Sequence, residues 1–229
     1  MFESRGTLHR MSVLHQPSMF DAPVDDLAAV GPTLGSLDPM TRTELAGGAW
    51  VDHRPGWLIG SEPILDVLLR DVPWRAEERP MYDRQVVVPR LLCWYSGGGP
   101  FPHPVLDAAR AALNAHYRPA EVDRFVTAGL CLYRDGADSV AWHGDRIGRG
   151  AHRDTMVAIL SVGSARTLSL RPRHPGGDPS VRRHRFHLGH GDLVVMGGSC
   201  QRTWEHAVPK TAKPVGPRVS IQFRPIGVA

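Results

Sequence analysis

Lysine is almost missing from this chain. Lys210 and Lys213 are two of 27 basic residues, so the other 25 are arginine. A genome that favours arginine codons would produce this bias. So would a surface that grips phosphate, because guanidinium matches phosphate oxygens in a two-pronged fork. Composition leaves both open, and the formal net charge of +4 is compatible with either. Cysteine is also scarce. Cys93, Cys131 and Cys200 are far apart, odd in number and form no CxxC pair. That excludes a disulfide framework and a zinc knuckle, and a reducing cytoplasm is the expected location. No stretch approaches the roughly 20 apolar residues of a membrane helix, so no membrane partner is expected. Residues 1–16 carry Arg5, His9, Arg10 and His15 and lack a signal peptide's apolar centre, so export is not expected.

Along the chain, the character changes twice. Residues 1–40 are expected to be loosely structured, because Pro17, Pro23, Gly31, Pro32, Gly35 and Pro39 interrupt every apolar run. The spacing predicts a short helix near Asp38–Trp50. A second helix is expected over Gly60–Leu69, with Ser61 as cap and Pro63 in the first turn, and a third over Leu106–His116. Beyond Pro119 the apolar period shortens. Val126–Tyr133, Met156–Ser161, Thr167–Arg171, Arg185–Leu188, Asp192–Met196 and Arg218–Arg224 read as strands separated by Gly, Pro and Asp clusters. Arg171–Arg185 reads as a long basic hairpin loop. No internal repeat is present. Helices first, then many short strands, predict an α+β fold with a sandwich or jelly-roll core and the helices packed on its sheet. The expected domain pattern is a loose segment at 1–40 and one domain at 41–229, in a chain that works as a monomer.

Twelve histidines make chance clusters common, so each needs a reason. His143 and Asp145 sit at i and i+2 in AWHGD, and on an extended strand residues two apart share a face. An imidazole and a carboxylate on one face offer two ligands. One more histidine from a distant strand would complete the facial triad of a non-haem Fe(II) oxygenase, with positions left for a bidentate co-substrate and O2. His152 follows too closely, and His174 and His184 fall in the basic loop. His187, in a strand, His190, in a GHGD turn, and His206, in TWEHAV, remain. The last strand adds a second signal. Arg218, Ser220, Gln222 and Arg224 fall on one face, with Val219, Ile221 and Phe223 on the other. Buried arginines need anionic partners, and a dicarboxylate such as 2-oxoglutarate would supply them.

Taken in order, LYRDGADSVAWHGD, SVGSARTLSLRPR, GHGDLVVMGG, EHAVPK and RVSIQFR resemble the AlkB family of Fe(II)/2-oxoglutarate dioxygenases, which repair N-alkylated nucleic-acid bases. The resemblance covers roughly residues 80–226. It implies a double-stranded β-helix (jelly-roll) core at 126–229, and a β-hairpin nucleotide-recognition lid with a support helix at 80–125. It implies that His143, Asp145 and His206 ligate iron, Asp145 being required for catalysis, and that His190 is structural. Arg218 would bind the distal carboxylate of 2-oxoglutarate, helped by the Tyr133 hydroxyl. Arg224 would lie near the chelating carboxylate, with Ser220 and Cys131 in the same pocket. MYDRQVVVPRLLCWY resembles the family's nucleotide-recognition region, which puts Met81, Tyr82, Arg90 and Tyr95 among the substrate contacts.

Two positions depart from the family pattern. Cys131 stands where the family usually has Asn, and Ile147 where it often has an acid that meets the damaged base. The implied activity is oxidative demethylation of bases in DNA or RNA using Fe(II), 2-oxoglutarate and O2, releasing formaldehyde, succinate and CO2. A hydroxylase acting on a protein or small molecule is the first alternative. A nucleic-acid-binding relative without catalysis is the second.

Overall fold

In the last strand, Arg218–Arg224, side chains alternate between two buried environments, and that alternation fixes the architecture. The protein is described by a computed structural model covering 31–60, 62–81, 84–97, 99–146, 148–173 and 182–228; side chains at 62, 79–81 and 84–86 fall outside that description. Its strands are β1 (Thr33–Leu34), β2 (Thr41–Glu44), β3 (Ala49–Arg54), β4 (Leu58–Ile59), β5 (Arg75–Met81), β6 (Arg84–Tyr95), β7 (Thr127–Tyr133), β8 (Val140–His143), β9 (Val157–Gly163), β10 (Arg166–Pro172), β11 (His184–Leu188), β12 (Leu193–Gly198), β13 (Trp204–Val208) and β14 (Arg218–Arg224). Helix α1 (Glu62–Asp71) precedes β5, α2 (Pro104–Tyr117) follows β6, and the single turn α3 (Cys200–Thr203) leads into β13.

Eight strands form the major sheet in the order β2-β3-β12-β9-β14-β7-β6-β5, and four form the minor sheet, β11-β10-β13-β8. Two facing antiparallel sheets are the jelly-roll arrangement read from the sequence. On β14, Val219, Ile221 and Phe223 enter a core shared with Ile64 and Leu68 of α1 and Leu106, Ala109 and Leu113 of α2. The second core, with Val157, Ile159, Leu168, Leu170, Val194, Met196 and Trp204, draws on both sheets and fills the space between them. Tyr133 and Cys131 of β7 belong to this inner core. So do the polar positions of β14 by alternation: Arg218, Ser220 and Arg224 are all buried. β14 pairs with β7 on one side and β9 on the other, so its arginines are not on a solvated edge.

The helices at 62–71 and 104–117 lie where the apolar spacing put them. α2 starts with His103 as its cap, whose Nδ1 accepts from the Val105 amide at 3.1 Å, and Pro104 in the first turn. Ser61 lies outside the described residues. The short helix expected near Asp38–Trp50 is replaced by the β2–β3 hairpin. Gly47 and Gly48 adopt φ of 77° and 76°, a left-handed geometry that stops a helix, and Val51 is buried beside Met196 of β12.

Candidate metal and co-substrate site

β8 and β13 are neighbours in the minor sheet, and their register sets His143 opposite His206. Asp145 follows two residues after His143, just past the strand end. The possible ligand atoms of His143, Asp145 and His206 all lie within 4.8 Å of one another, and the two imidazole centroids are 4.2 Å apart. Of the other histidines, His152 and His187 are exposed, His184 lies edge-on to Trp204, and His190 accepts the Gly163 amide through Nδ1 at 2.7 Å. His174 lies outside the described residues. Strand register therefore brings one histidine to the HxD pair.

The surroundings prepare these groups as ligands. His143 Nδ1 lies 2.8 Å from the Ala141 carbonyl oxygen, which can only accept, so Nδ1 carries the proton and Nε2 keeps its lone pair. Burial, reinforced by the charges of His143 and Arg224, pushes His206 down to about 3, so its imidazole is neutral at physiological pH. Burial alone would raise Asp145. The groups beside it, the Arg224 guanidinium foremost, outweigh burial and hold the carboxyl at about 2. The Asp145 amide donates to Gln201 Oε1 at 3.1 Å, which ties the HxD turn to α3. Gly144 is required by space: a Cβ there would lie 2.5 Å from the Gln201 carbonyl oxygen.

From this cluster a cavity of about 320 Å³ runs between the sheets, past Ser220, Gln222 and Cys131, to Arg218, Tyr133 and Arg90. Arg218 is fully enclosed. Its Nη2 donates to Ser161 Oγ at 2.7 Å, and its guanidinium lies 5.3 Å from the Tyr133 ring. Its Nε and Nη1, and Arg90 Nε, are buried without a hydrogen-bond partner among the described residues. Burial pushes Tyr133 up to about 12, and it stays a hydroxyl donor. Buried guanidinium hydrogens at one end of a cavity and three metal-ligand side chains at the other match a dicarboxylate that also chelates a metal. The donor set fits Fe(II), and the residues present fit 2-oxoglutarate.

Arg90, expected among the substrate contacts, is in the same cavity. It lines the cavity with Tyr133, on the face of β6 that also carries Leu92 and Trp94. Its Nη1 reaches the Ser139 carbonyl at 3.3 Å. Tyr95, also expected among the substrate contacts, is not among the residues lining this cavity. Strand alternation turns it to the helix side, edge-on to Phe101, while the preceding Trp94 lines the cavity and is 48% exposed. The two are adjacent aromatics, and only the pairing of β6 with β7 decides which faces in. Gln201 had no motif to announce it. Tyr82, Ile147 and the side chain of Met81 lie outside the described residues.

Two imidazoles, one carboxylate and an arginine-ended pocket inside a jelly roll define a 2-oxoglutarate- and Fe(II)-dependent oxygenase. Residues 65–224 match the family described as the 2OG-Fe(II) oxygenase superfamily, and the chain belongs to it. It is 33% identical over 179 residues to alpha-ketoglutarate-dependent dioxygenase alkB homolog 3 of Homo sapiens, covering 71% of this chain and 60% of that protein. It is 29% identical over 192 residues to DNA oxidative demethylase ALKBH2 of Arabidopsis thaliana, covering 70% of this chain and 60% of that protein. The chain thus spans about 60% of the length of these relatives. In fold it resembles the structure of OsALKBH1, with a TM-score of 0.51 and 14% identity, covering 81% of this chain and 100% of that one. It also resembles a Trichoplax adhaerens prolyl hydroxylase, with a TM-score of 0.52 and 10% identity, covering 80% of this chain and 84% of that one.

Proposed function

We propose that this chain oxidatively demethylates N-alkylated bases in nucleic acid. The observation that carries the reading is the continuity of the cavity: one wall holds the triad, the far end holds Arg218 and Tyr133, and the near side presents Trp94. With iron, 2-oxoglutarate and O2 bound, the centre supplies an oxidant that hydroxylates an N-methyl carbon while 2-oxoglutarate becomes succinate and CO2. The hydroxymethyl product then loses formaldehyde and restores the base. His143, Asp145 and His206 hold the metal. Arg218 and Tyr133 anchor the far end of the co-substrate, and the enclosing apolar strands exclude water.

The target base must reach the metal unstacked, either flipped out or already single-stranded. The exposed face of Trp94 offers it a stacking surface, and aromatic stacking is worth about 1–3 kcal/mol per base. Support for a nucleic-acid substrate over a peptide comes from the likeness to a protein named DNA oxidative demethylase. The test is formaldehyde release from oligonucleotides carrying 1-methyladenine or 3-methylcytosine, single- and double-stranded, with Fe(II) and 2-oxoglutarate. Release from any of them is expected. Succinate formation without formaldehyde from all of them, and without stimulation by nucleic acid, would move the substrate to a protein or small molecule.

A further inference from the structure

Among the described residues lining the cavity, Gln222 carries the only side-chain amide, and its orientation is fixed. Arg224 has donors and no acceptor, and its Nη2 hydrogen-bonds Gln222 Oε1. The oxygen of the amide is therefore on the Arg224 side, and Nε2 is on the other. There Nε2 meets Cys131 Sγ at 3.4 Å and Ser220 Oγ at 3.4 Å. A thiol is a weak acceptor, and 3.4 Å is long for a bond to a hydroxyl. Two amide hydrogens thus sit in the cavity with poor partners. They lie along β14 between Arg224, which holds Asp145, and Arg218 at the far end.

We infer that Gln222 binds the co-substrate: its Nε2 donates to 2-oxoglutarate between the metal and Arg218. The β14–β7 register explains why the donor comes from this strand. Cys131 lies opposite Ser220, and Gln222 lies opposite Gly129, where the Trp94 ring and Arg224 Nη1 occupy the space a side chain would take. The Cys131 thiol is a weak donor, and Ser220 has a shorter side chain than Gln222, whose Nε2 lies beside both. Arg224 thereby does two things. It orients the carboxylate of Asp145 and, through Oε1, aims the amide of Gln222. This inference rests on the family's use of 2-oxoglutarate and is independent of the nucleic-acid reading.

The experiment measures 2-oxoglutarate binding by calorimetry to full-length protein loaded with Mn(II), so no turnover is needed and no nucleic acid is present. Gln222→Ala should weaken 2-oxoglutarate binding about tenfold, as loss of a hydrogen bond to a charged group does, with Mn(II) affinity unchanged. Gln222→Glu keeps the shape, replaces a donor with an acceptor and should weaken binding further; it also serves if the alanine variant does not fold. Cys131→Asn restores an amide from the facing strand, so Cys131→Asn combined with Gln222→Ala should recover most of the lost affinity. Wild-type affinity in Gln222→Ala or Gln222→Glu overturns the inference. So does a loss in Gln222→Ala that is matched by lost Mn(II) affinity, or that Cys131→Asn does not recover.

Discussion

Arg224 donates through both Nε and Nη2 to one oxygen of Asp145, Oδ2, at 3.1 and 3.0 Å. The other oxygen, Oδ1, faces His143 Nε2 at 3.8 Å. One oxygen of the carboxylate is therefore committed to the protein, and the other would be the one to take a metal. A charge-assisted fork of this kind, enclosed between two sheets, holds the carboxylate in a single orientation. Arg224→Met keeps the bulk and removes the fork. Outer-sphere partners of metal ligands typically contribute 10–100-fold in affinity, so the variant should bind Mn(II) or Co(II) at least about tenfold more weakly. Unchanged affinity in a direct titration would mean that the carboxylate is held by its backbone alone.

Gly144 sits between the two ligands, with the Gln201 carbonyl oxygen 2.5 Å and the Trp204 carbonyl oxygen 3.2 Å from where a Cβ would be. Both obstacles are backbone, so they do not swing aside as a side chain would. An exposed glycine often gains about 0.4–1 kcal/mol when changed to alanine. Here Gly144→Ala should instead lose about 1–3 kcal/mol through overpacking. It should weaken metal binding too, because α3 and the HxD turn cannot both keep their places. Urea denaturation and metal titration check the two effects separately.

The metal-free protein should lose stability as pH falls, and His206 is one cause. Burial holds its folded pKa at about 3, against 6.5 for the free side chain. Between those values the unfolded chain binds a proton that the folded protein refuses. The contribution is therefore complete above about pH 6.5 and is lost on the way down to about 3, at about 1.4 kcal/mol per pH unit. His206→Gln should flatten this part of the curve, so between pH 7 and 5 wild type should lose roughly 2 kcal/mol more than the variant. Denaturant midpoints at both pH values, with metal chelated, decide it. Equal losses would place the pH sensitivity elsewhere, for instance at His53, which burial also pushes down.

The candidate metal site was partly legible because two of its residues, His143 and Asp145, stand in a short motif, and because the arginines of β14 are six residues apart, an even number. The same alternation rule predicts both the buried polar face and the buried apolar face of that strand. Choosing His206 over its neighbours took the ordered blocks of a family. Local pattern says nothing about which strand neighbours which, and only the register of β13 on β8 sets His206 against His143. Trp94 and Tyr95 show the same limit at the scale of one residue. Two adjacent aromatics alternate faces, and the choice rests on β6 pairing with β7, with Trp94 opposite Gly129. The β2–β3 hairpin reads as a helix in the sequence because its burial comes from β12, with Val51 paired to Met196, about 145 residues later. Gln201 was invisible for a related reason: its role is to accept the amide of Asp145, 56 positions away.

Arg218 offers a separation of stability from function. Its guanidinium is enclosed, burial pushes its pKa down, and Nε and Nη1 lack partners among the described residues. A buried charge in that state costs folding free energy, and an apolar residue of similar volume is often neutral or stabilising in its place. Arg218→Met should therefore match or exceed the wild-type stability when no co-substrate is present. The wild-type protein, loaded with Mn(II), should gain about 2.7 kcal/mol from 2-oxoglutarate at a hundred times its dissociation constant. At the same concentration the variant should gain almost nothing, because the anionic end has lost its fork. Chemical denaturation of both proteins, with and without 2-oxoglutarate, gives all four numbers. A variant that is several kcal/mol less stable alone, yet still stabilised by 2-oxoglutarate, would make Arg218 a structural residue and move the carboxylate to Arg90.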